Sequence, residues 1–169
     1  MMARIVVEAE SNMTEFMQAR RRRDHRGLSV AEAICESIAH AAEDLPMGAI
    51  AVFTETGNTA RMISKYRPKA AIYAFTHVWP VVPRANLFWG VHPVRCRQAR
   101  SAEEMVRMAE QELLRRGLLK PGEVLGVVAG TRQASGSTNL MRLHVVTAKE
   151  ARAASLPNKS VRRARRGKI

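Results

Sequence analysis

Two short segments rich in threonine, serine and glycine hold the residues of this chain best suited to binding a ligand. The first, Thr54-Glu-Thr-Gly-Asn-Thr59, follows an apolar run and precedes a helical pattern. Its hydroxyl groups and the free amides of a helix start favour an anion such as phosphate, and Gly57 permits close backbone approach. The second, residues 130–139, contains Arg132 followed by three hydroxyl residues. Such residues also form ordinary turns, so neither segment alone distinguishes a phosphate site from a turn.

Other residue types that carry chemistry form no recognisable site in the sequence. The five histidines lack the spacing of metal ligands, and no Walker A loop or ordered Ser-His-Asp triad is present. Cys35 and Cys96 form no CxxC motif, and Cys35 lies on the predicted buried side of a helix, as an inert core thiol would. Trp79 and Trp89 are interpreted as packing residues, with the lining of a pocket as the alternative. The sequence therefore predicts no catalytic residue and no metal ligand.

The positive charge of the chain is concentrated in two segments. The formal net charge is +13, of which residues 20–26 supply +4 and residues 147–169 supply +7, so the rest is nearly neutral. Such segments attract polyanions in a salt-dependent way without specifying a partner. We expect a solvated basic linker and a basic tail that is disordered from about residue 150. Nucleic-acid binding through the tail stays open as an alternative.

Apolar runs alternate with helical patterns and must position the two hydroxyl-rich segments. Each run is apolar on both faces, which predicts a parallel sheet covered on both sides. The runs occupy residues 48–54, 70–76, 90–96 and 123–129. The helical patterns occupy residues 3–19, 29–44, 58–66, 80–88 and 101–116. No signal peptide and no run long enough to span a membrane is present, so we expect a cytoplasmic protein with no membrane contact.

Local signals also predict helix starts and sheet edges. Ser29 and Ser101 are each followed three residues later by glutamate, the signature of a capping box. Pro93 lies inside the third apolar run and lacks an amide hydrogen, so it requires an edge position or a bulge. Residues 140–146 alternate apolar and polar side chains, which is typical of a half-exposed edge strand. A short connection to the preceding run predicts that this strand is antiparallel.

These elements divide the chain into three parts. Residues 1–28 are a predicted helix and basic linker, residues 29–147 an α/β domain, and residues 148–169 the basic tail. Residues 29–146 closely resemble the carboxyl-terminal domain of the pyruvate kinase family. The motifs that carry the resemblance, in the family's order, are TETGNTA, SKYRP, GVHPV, KPG and SGSTNLMR. It implies a three-layer α/β sandwich whose five-stranded, mostly parallel sheet has the order 3-2-1-4-5, with strand 5 antiparallel.

The resemblance also implies a regulatory role for this domain. In the family it binds sugar-phosphate or nucleotide effectors and helps to build a tetramer, so we expect a homo-oligomer with a phosphate site. Where the family often has a Trp-Arg-Pro-Gly run this chain has residues 131–134, TRQA, so the effector itself is not implied. The residues that carry over onto the effector site are Thr54, Thr56, Gly57, Asn58, Thr59, Arg132, Ser135, Gly136, Ser137 and Thr138.

Catalysis is not implied for these residues on their own. Pyruvate kinases transfer a phosphoryl group from phosphoenolpyruvate to ADP with Mg²⁺ and K⁺ held by a (β/α)₈ barrel, and none of the barrel motifs occurs in these 169 residues. The chain is then either a regulatory and oligomerising domain, or part of a split kinase that is active only with a separate barrel.

We expect the purified chain to form no pyruvate from phosphoenolpyruvate and ADP with Mg²⁺ and K⁺, because the groups that position metal and phosphate belong to the barrel. A coupled pyruvate assay measures this. Turnover of about 1–1000 per second from a preparation free of host enzyme would contradict the prediction.

Overall fold

Helices and strands alternate along the part of the chain that the computed structural model describes, which is residue 8, residues 28–130 and residues 138–148. The predicted helix at 3–19 (residue 8 excepted), the basic segment at 20–26 and the tail after 148 lie outside the described residues. In chain order the elements are α1 (Val30–Asp44), β1 (Met47–Phe53), α2 (Asn58–Ser64), β2 (Ala71–Thr76), α3 (Val81–Ala85), β3 (Val91–Arg95), α4 (Ala102–Arg115), β4 (Val124–Gly130) and β5 (Thr138–Val145).

The five strands form one sheet in the order β3-β2-β1-β4-β5. The first four strands are mutually parallel, and β5 runs antiparallel to β4. This arrangement confirms the predicted fold class. The strand order reverses where β1 lies beside β4, with Phe53 paired to Phe75 on one side and to Ala129 on the other. In an open α/β sheet, the crevice at that reversal is where ligands bind.

The sheet separates two apolar clusters, one on each face. On one face, residues of α1, α2 and α3 pack against the sheet around the fully buried Ile38, Ile63 and Ile72. On the other face, α4 supplies Leu113, which packs with Phe75 and other buried sheet residues. Both faces of β1, β2 and β4 are therefore covered, which explains why these strands are apolar throughout.

The helix starts follow the predicted capping residues, with one difference. At α1 the box is complete, because the Ser29 hydroxyl accepts the Glu32 amide hydrogen and the Glu32 carboxylate accepts the Ser29 amide hydrogen. These bonds hold the pKa of Glu32 below its ordinary value. At α4 the Ser101 hydroxyl accepts from the Glu104 amide, but the Glu104 carboxylate accepts from the amide of Arg100 instead. In the second box, the bond to the glutamate carboxylate therefore comes from the residue before the N-cap rather than from the N-cap itself.

Helix α3 is shorter than the predicted 80–88. The amides of Leu87 and Phe88 donate to carbonyls three residues earlier, those of Arg84 and Ala85, so the chain leaves the helix through tighter turns. Pro83, which lacks an amide hydrogen, further limits the hydrogen bonding of this short segment.

The two edges of the sheet differ in character. Strand β3 forms one edge, which confirms the edge position predicted from Pro93. The opposite edge, β5, reverses the simple expectation of apolar side chains inward and polar side chains outward. His144 is half-buried, with its Nε2 atom 3.0 Å from Oε1 of the buried Glu110 on α4. Leu143 and Val145 on the other face are 43% and 59% exposed. The α4 carboxylate draws the polar face inward, whereas α1 does not fully cover the apolar face.

Candidate functional site

The first hydroxyl-rich segment forms a tight turn at the carboxyl end of β1. The amide of Thr54 donates to the carbonyl of Phe75, which keeps the start of the turn in the sheet (3.0 Å). The Thr54 hydroxyl then accepts the amide hydrogen of Gly57 at 2.9 Å, and the Thr56 hydroxyl accepts that of Asn58 at 3.3 Å. Two threonine side chains therefore fold the segment back on itself directly before α2 begins.

Glycine at position 57 is required by the backbone of this turn. Gly57 has φ +81° and ψ −5°, in the left-handed region that side chains with a β-carbon rarely adopt. A β-carbon there would also lie 3.3 Å from Cγ1 of Val81, the first residue of α3. The turn is thus packed directly against the start of the neighbouring helix.

A buried hydrogen bond joins the two hydroxyl-rich segments. The Oγ1 atoms of Thr59 and Thr138 lie 2.7 Å apart, although the residues are 79 positions apart in sequence. Both residues are buried, with exposed fractions of 8% and 5%. The contact forms because β1 and β4 are parallel neighbours. Their carboxyl ends therefore lie side by side, and the segments that follow them begin close together. One predicted feature of the site, the meeting of the two segments, is present in the described residues.

The predicted site residues of the first segment have different roles in the structure. Thr54 and Thr56 shape the turn, and Thr59 reaches the second segment. The side chain of Asn58 turns away along α2, because its Oδ1 accepts a hydrogen bond from Arg61 and its Nδ2 lies 3.5 Å from the sulfur of Met62. Of the predicted site residues in the second segment, the structure describes only Thr138. The other members, Arg132, Ser135, Gly136 and Ser137, lie outside the described residues.

The arrangement is suited to donating hydrogen bonds. A hydroxyl oxygen that accepts an amide hydrogen still has its own hydrogen to donate, which applies to Thr54 and Thr56. Of the pair Thr59 and Thr138, one hydroxyl donates to the other, and the accepting hydroxyl keeps its hydrogen. Helix α2 begins at Asn58, and the first amides of a helix have no acceptor within it. These donors belong to the turn that follows β1, at the switch point of the sheet.

Two exposed aromatic residues depart from the packing role expected of them. Trp79 and Trp89 are 63% and 43% exposed. The guanidinium of Arg95 lies over the ring of Trp79, and that of Arg67 lies over the ring of Trp89. A single aromatic residue in a sequence indicates neither exposure nor its partner, so sequence reasoning missed both pairs. The only available signal was their location outside the predicted apolar runs.

The thiols show no sign of chemical activation. Burial, aided by the nearby Glu32 carboxylate, raises the pKa of the Cys35 thiol to about 11. Burial also raises the pKa of Cys96 to about 11, against the opposing effect of Arg97. Cys35 is fully buried, which confirms the predicted core thiol. Both thiols stay protonated near neutral pH, which makes them poor nucleophiles.

Among the described residues, no three His, Cys, Asp or Glu side chains are grouped so that they could hold a metal ion. Within the same residues, no helix is long and apolar enough to cross a membrane.

Comparison with known proteins identifies relatives over most of the chain. The family model described as "Pyruvate kinase, alpha/beta domain" matches residues 32–144. The chain is 40% identical over 119 residues to pyruvate kinase of Bacillus licheniformis, and 36% identical over 140 residues to that of Lactobacillus delbrueckii subsp. bulgaricus. It is 35% identical over 148 residues to the enzyme of Clostridium acetobutylicum. These matches cover 70%, 82% and 86% of this chain but only 20%, 24% and 31% of the respective relatives.

Proposed function

Because this chain belongs to the pyruvate kinase family, as its carboxyl-terminal α/β domain, we propose that it is a regulatory module that binds a phosphorylated effector and self-associates. Phosphoryl transfer is assigned in this proposal to a catalytic barrel outside these 169 residues. The observation that carries the proposal is the hydrogen bond between Thr59 and Thr138, because it brings two hydroxyl-rich segments to one point at the switch of the sheet.

The donors of this turn are of the kind that bind a phosphate group. The hydroxyl groups of Thr54, Thr56 and Thr59 would donate to the phosphate oxygens, together with the free amides at the start of α2. Gly57 supplies the left-handed backbone that the turn requires, and the side chain that it lacks leaves room for Val81 of α3. The resemblance adds Arg132 from the second segment, whose guanidinium would supply a charge-assisted contact.

We propose that the site also influences assembly. Strand β5 begins at Thr138, in the site, and ends at Val145, on an exposed apolar surface. A phosphate that holds Thr138 against Thr59 would therefore restrict the motion of β5, whose other end lies on that exposed surface. If effector binding and self-association are coupled in this way, each must strengthen the other by the same factor.

We expect ribose 5-phosphate, but not ribose, to stabilise the chain against unfolding. A ligand present at about 100 times its dissociation constant adds about 2.7 kcal/mol to the free energy of unfolding. Replacing Thr59 by valine keeps the shape and removes the hydroxyl, so most of this increment should be lost. The measurement is urea unfolding with and without ligand at about 150 mM salt, where attraction to distant charges is screened beyond roughly 8 Å.

The matched control is Thr59→Ser, which retains the hydroxyl and should retain the increment. Thr59→Val is expected to lower the stability of the free protein by about 1 kcal/mol through the lost hydrogen bond, so increments rather than absolute stabilities are compared. An undiminished increment in Thr59→Val would place the phosphate elsewhere, for example on the basic tail, and would overturn the proposed site.

A second observation favours self-association through α1 and β5. Helix α1 packs on β5. Leu143 and Val145 of β5 are 43% and 59% exposed, and Val30, the first residue of α1, is 66% exposed. Strand β5 is the last strand of the sheet, so in the described part of the chain its outer edge has no strand partner. Exposed apolar side chains next to an open strand edge favour pairing with a second copy. The proposed assembly is a two-fold dimer formed through this surface, the α1/β5 face.

A further inference from the structure

Positive charge is unevenly distributed within the folded domain. Eight lysine and arginine residues and no aspartate or glutamate lie between Glu55 and Glu103, whereas the rest of residues 29–147 contains ten acidic and six basic residues. The segment between the two glutamates forms α2, β2, α3 and β3 with their connections, on the side of the sheet away from β5. One side of the domain is therefore positively charged, although acidic residues outnumber basic ones in the remainder.

This charge faces water. Seven of the eight side chains are exposed, and Arg67 is half-buried. Ion pairs with neighbouring helices partly neutralise two of them, because Lys69 pairs with Glu43 of α1 and Arg97 pairs with Glu104 of α4. Both of these pairs join the segment to another part of the domain. An exposed surface of one charge sign attracts ligands of the opposite sign, in a salt-dependent way.

Two exposed tryptophans lie within this charged segment, and each is paired with an arginine. Trp79 is 63% exposed, and the Cζ atom of Arg95 lies 5.2 Å from the centroid of its indole ring. Trp89 is 43% exposed, and the Cζ atom of Arg67 lies 5.1 Å from its ring centroid. Exposed aromatic rings among basic side chains are typical of surfaces that bind single-stranded nucleic acid, because bases stack on the rings and phosphates contact the cations.

Strand β3 sets the distance between the two pairs. Trp79 follows β2 and Arg95 ends β3, whereas Arg67 precedes β2 and Trp89 precedes β3. Since β2 and β3 are parallel, the pairs lie at opposite ends of β3, whose five residues span about 16 Å. A stacked strand advances about 3.4 Å per nucleotide, so the pairs are separated by about five nucleotides. This spacing lies within the site sizes of about 4–16 nucleotides that single-strand binding domains have.

A further exposed arginine lies between the pairs. Helix α3 begins after Trp79, ends before Trp89, and packs on β2 and β3, with Ala85 and Val91 in the same apolar cluster. Its Arg84 is exposed. Because side chains alternate along a strand, Arg95 lies on the same face of β3 as Val91, which is the face that α3 covers. The arginines of α3 and of the end of β3 therefore belong to one side of the sheet.

The backbone around both rings is held by hydrogen bonds. The Val82 amide donates to the carbonyl of Trp79 at 3.1 Å, and the Ser64 hydroxyl donates to the carbonyl of Trp89 at 2.7 Å. Both rings therefore project from ordered backbone rather than from free loops. Little order has to be created when a ligand binds, which favours affinity.

We propose that the β3-side surface, formed by Arg67, Trp79, Arg84, Trp89 and Arg95, binds single-stranded nucleic acid. Bases stack on the two indoles, and the arginines contact the phosphates and add cation–π attraction. A double helix keeps its bases stacked inside and would leave the indoles unused, and an acidic peptide offers charge without flat rings. The turn after β1 is not part of this surface, so the proposal is independent of the proposed effector site.

The test is a titration of the full chain at about 150 mM salt, with tryptophan fluorescence as the readout. Trp79 and Trp89 are the only tryptophans of the chain. A base that stacks on either ring quenches this fluorescence, whereas a strand held only by the basic tail does not. We expect saturable quenching by an oligouridylate of about 12 nucleotides. An oligothymidylate of the same length should bind within about fivefold, because stacking and phosphate contacts do not involve the 2′-hydroxyl.

Variants with a matched control separate stacking from charge. In fluorescence anisotropy with a labelled oligouridylate, Trp79→Ala and Trp89→Ala should each weaken binding by about 5- to 150-fold, the effect of losing one base–aromatic stack. Arg84→Gln should reduce the slope of log K against log salt by about 0.7, the contribution of one phosphate contact. The control is Arg107→Gln, because Arg107 is an exposed arginine of α4, on the other face of the sheet. It should leave the affinity and the slope unchanged.

Four outcomes would overturn the proposal. Binding without quenching, or undiminished affinity in both tryptophan variants, would assign the strand to the basic tail. Equal affinity for polyglutamate of matched charge would indicate an acidic protein as the partner. Binding confined to oligouridylate would contradict stacking as the mode of recognition. A loss of oligonucleotide binding in Thr59→Val as large as in Trp79→Ala would place the strand in the turn after β1, which the proposal excludes.

Discussion

Replacing Val145 by aspartate is expected to raise the dissociation constant of the dimer at least about 100-fold, which corresponds to about 2.7 kcal/mol. Val145 is 59% exposed in the single chain and lies on the proposed α1/β5 face. In a dimer built through that face, the new carboxylate would lose its water and gain no opposite charge, a substantial cost in an apolar contact. Sedimentation equilibrium over the micromolar range measures the constant for the original chain and the variant.

The matched control for this variant is Leu87→Asp. Leu87 is 84% exposed and lies between α3 and β3, next to the opposite edge of the sheet from β5. The same change from an apolar side chain to a carboxylate there should leave the dissociation constant unchanged. If Leu87→Asp weakens the dimer as much as Val145→Asp does, the contact lies elsewhere. If the original chain is a monomer at every concentration, self-association itself is refuted.

Replacing Ile38 by alanine is expected to lower the free energy of unfolding by about 2–5 kcal/mol. Ile38 lies on α1, is fully buried, and belongs to the cluster that holds α1 against the sheet. Its Cδ1 atom would lie 2.7 Å from a β-carbon on Gly126, so the side chain fills the space left by that glycine of β4. Removing three carbons from such a site costs their transfer free energy and leaves a cavity that closely packed neighbours only partly fill.

The measurement is urea unfolding of Ile38→Ala, in the Val145→Asp background so that dimer formation does not contribute to the apparent stability. Leu87→Ala is the control, because it removes a similar number of carbons from a residue that is 84% exposed and should change stability by less than about 0.5 kcal/mol. A loss below about 1 kcal/mol in Ile38→Ala would show that α1 does not depend on this contact for its attachment to the sheet.

Much of the domain follows from local patterns in the sequence. Residues 48–54 and 123–129 predict buried strands because they are apolar on both faces, and the structure places β1 and β4 within two residues of those bounds. Ser29 and Glu32 predict the start of α1 because the two side chains and the two amides that they cap lie within four residues. Pro93 predicts an edge because its missing amide hydrogen cannot take part in a central ladder. Each of these inferences concerns groups that are neighbours in the chain.

The candidate site could be predicted in part, because one part of it is also formed by groups that are neighbours in the chain. The turn at Thr54–Thr59 is local, and Gly57 marks the left-handed position within it. That Thr138 would meet Thr59 followed only from the strand order, which the family resemblance supplied. Composition and periodicity indicate which residues form strands, but they do not say which strands lie side by side.

What only the tertiary structure decided is the pairing of groups that are distant in sequence. Trp79 acquires Arg95 as its partner because β2 and β3 end side by side, and its ring is 63% exposed. On β5, His144 turns inward and Val145 outward because α4 presents Glu110 at one face while α1 leaves the other open. The alternation along a strand specifies only that its two faces differ. Which face is buried depends on what packs there, and that is a property of the folded chain.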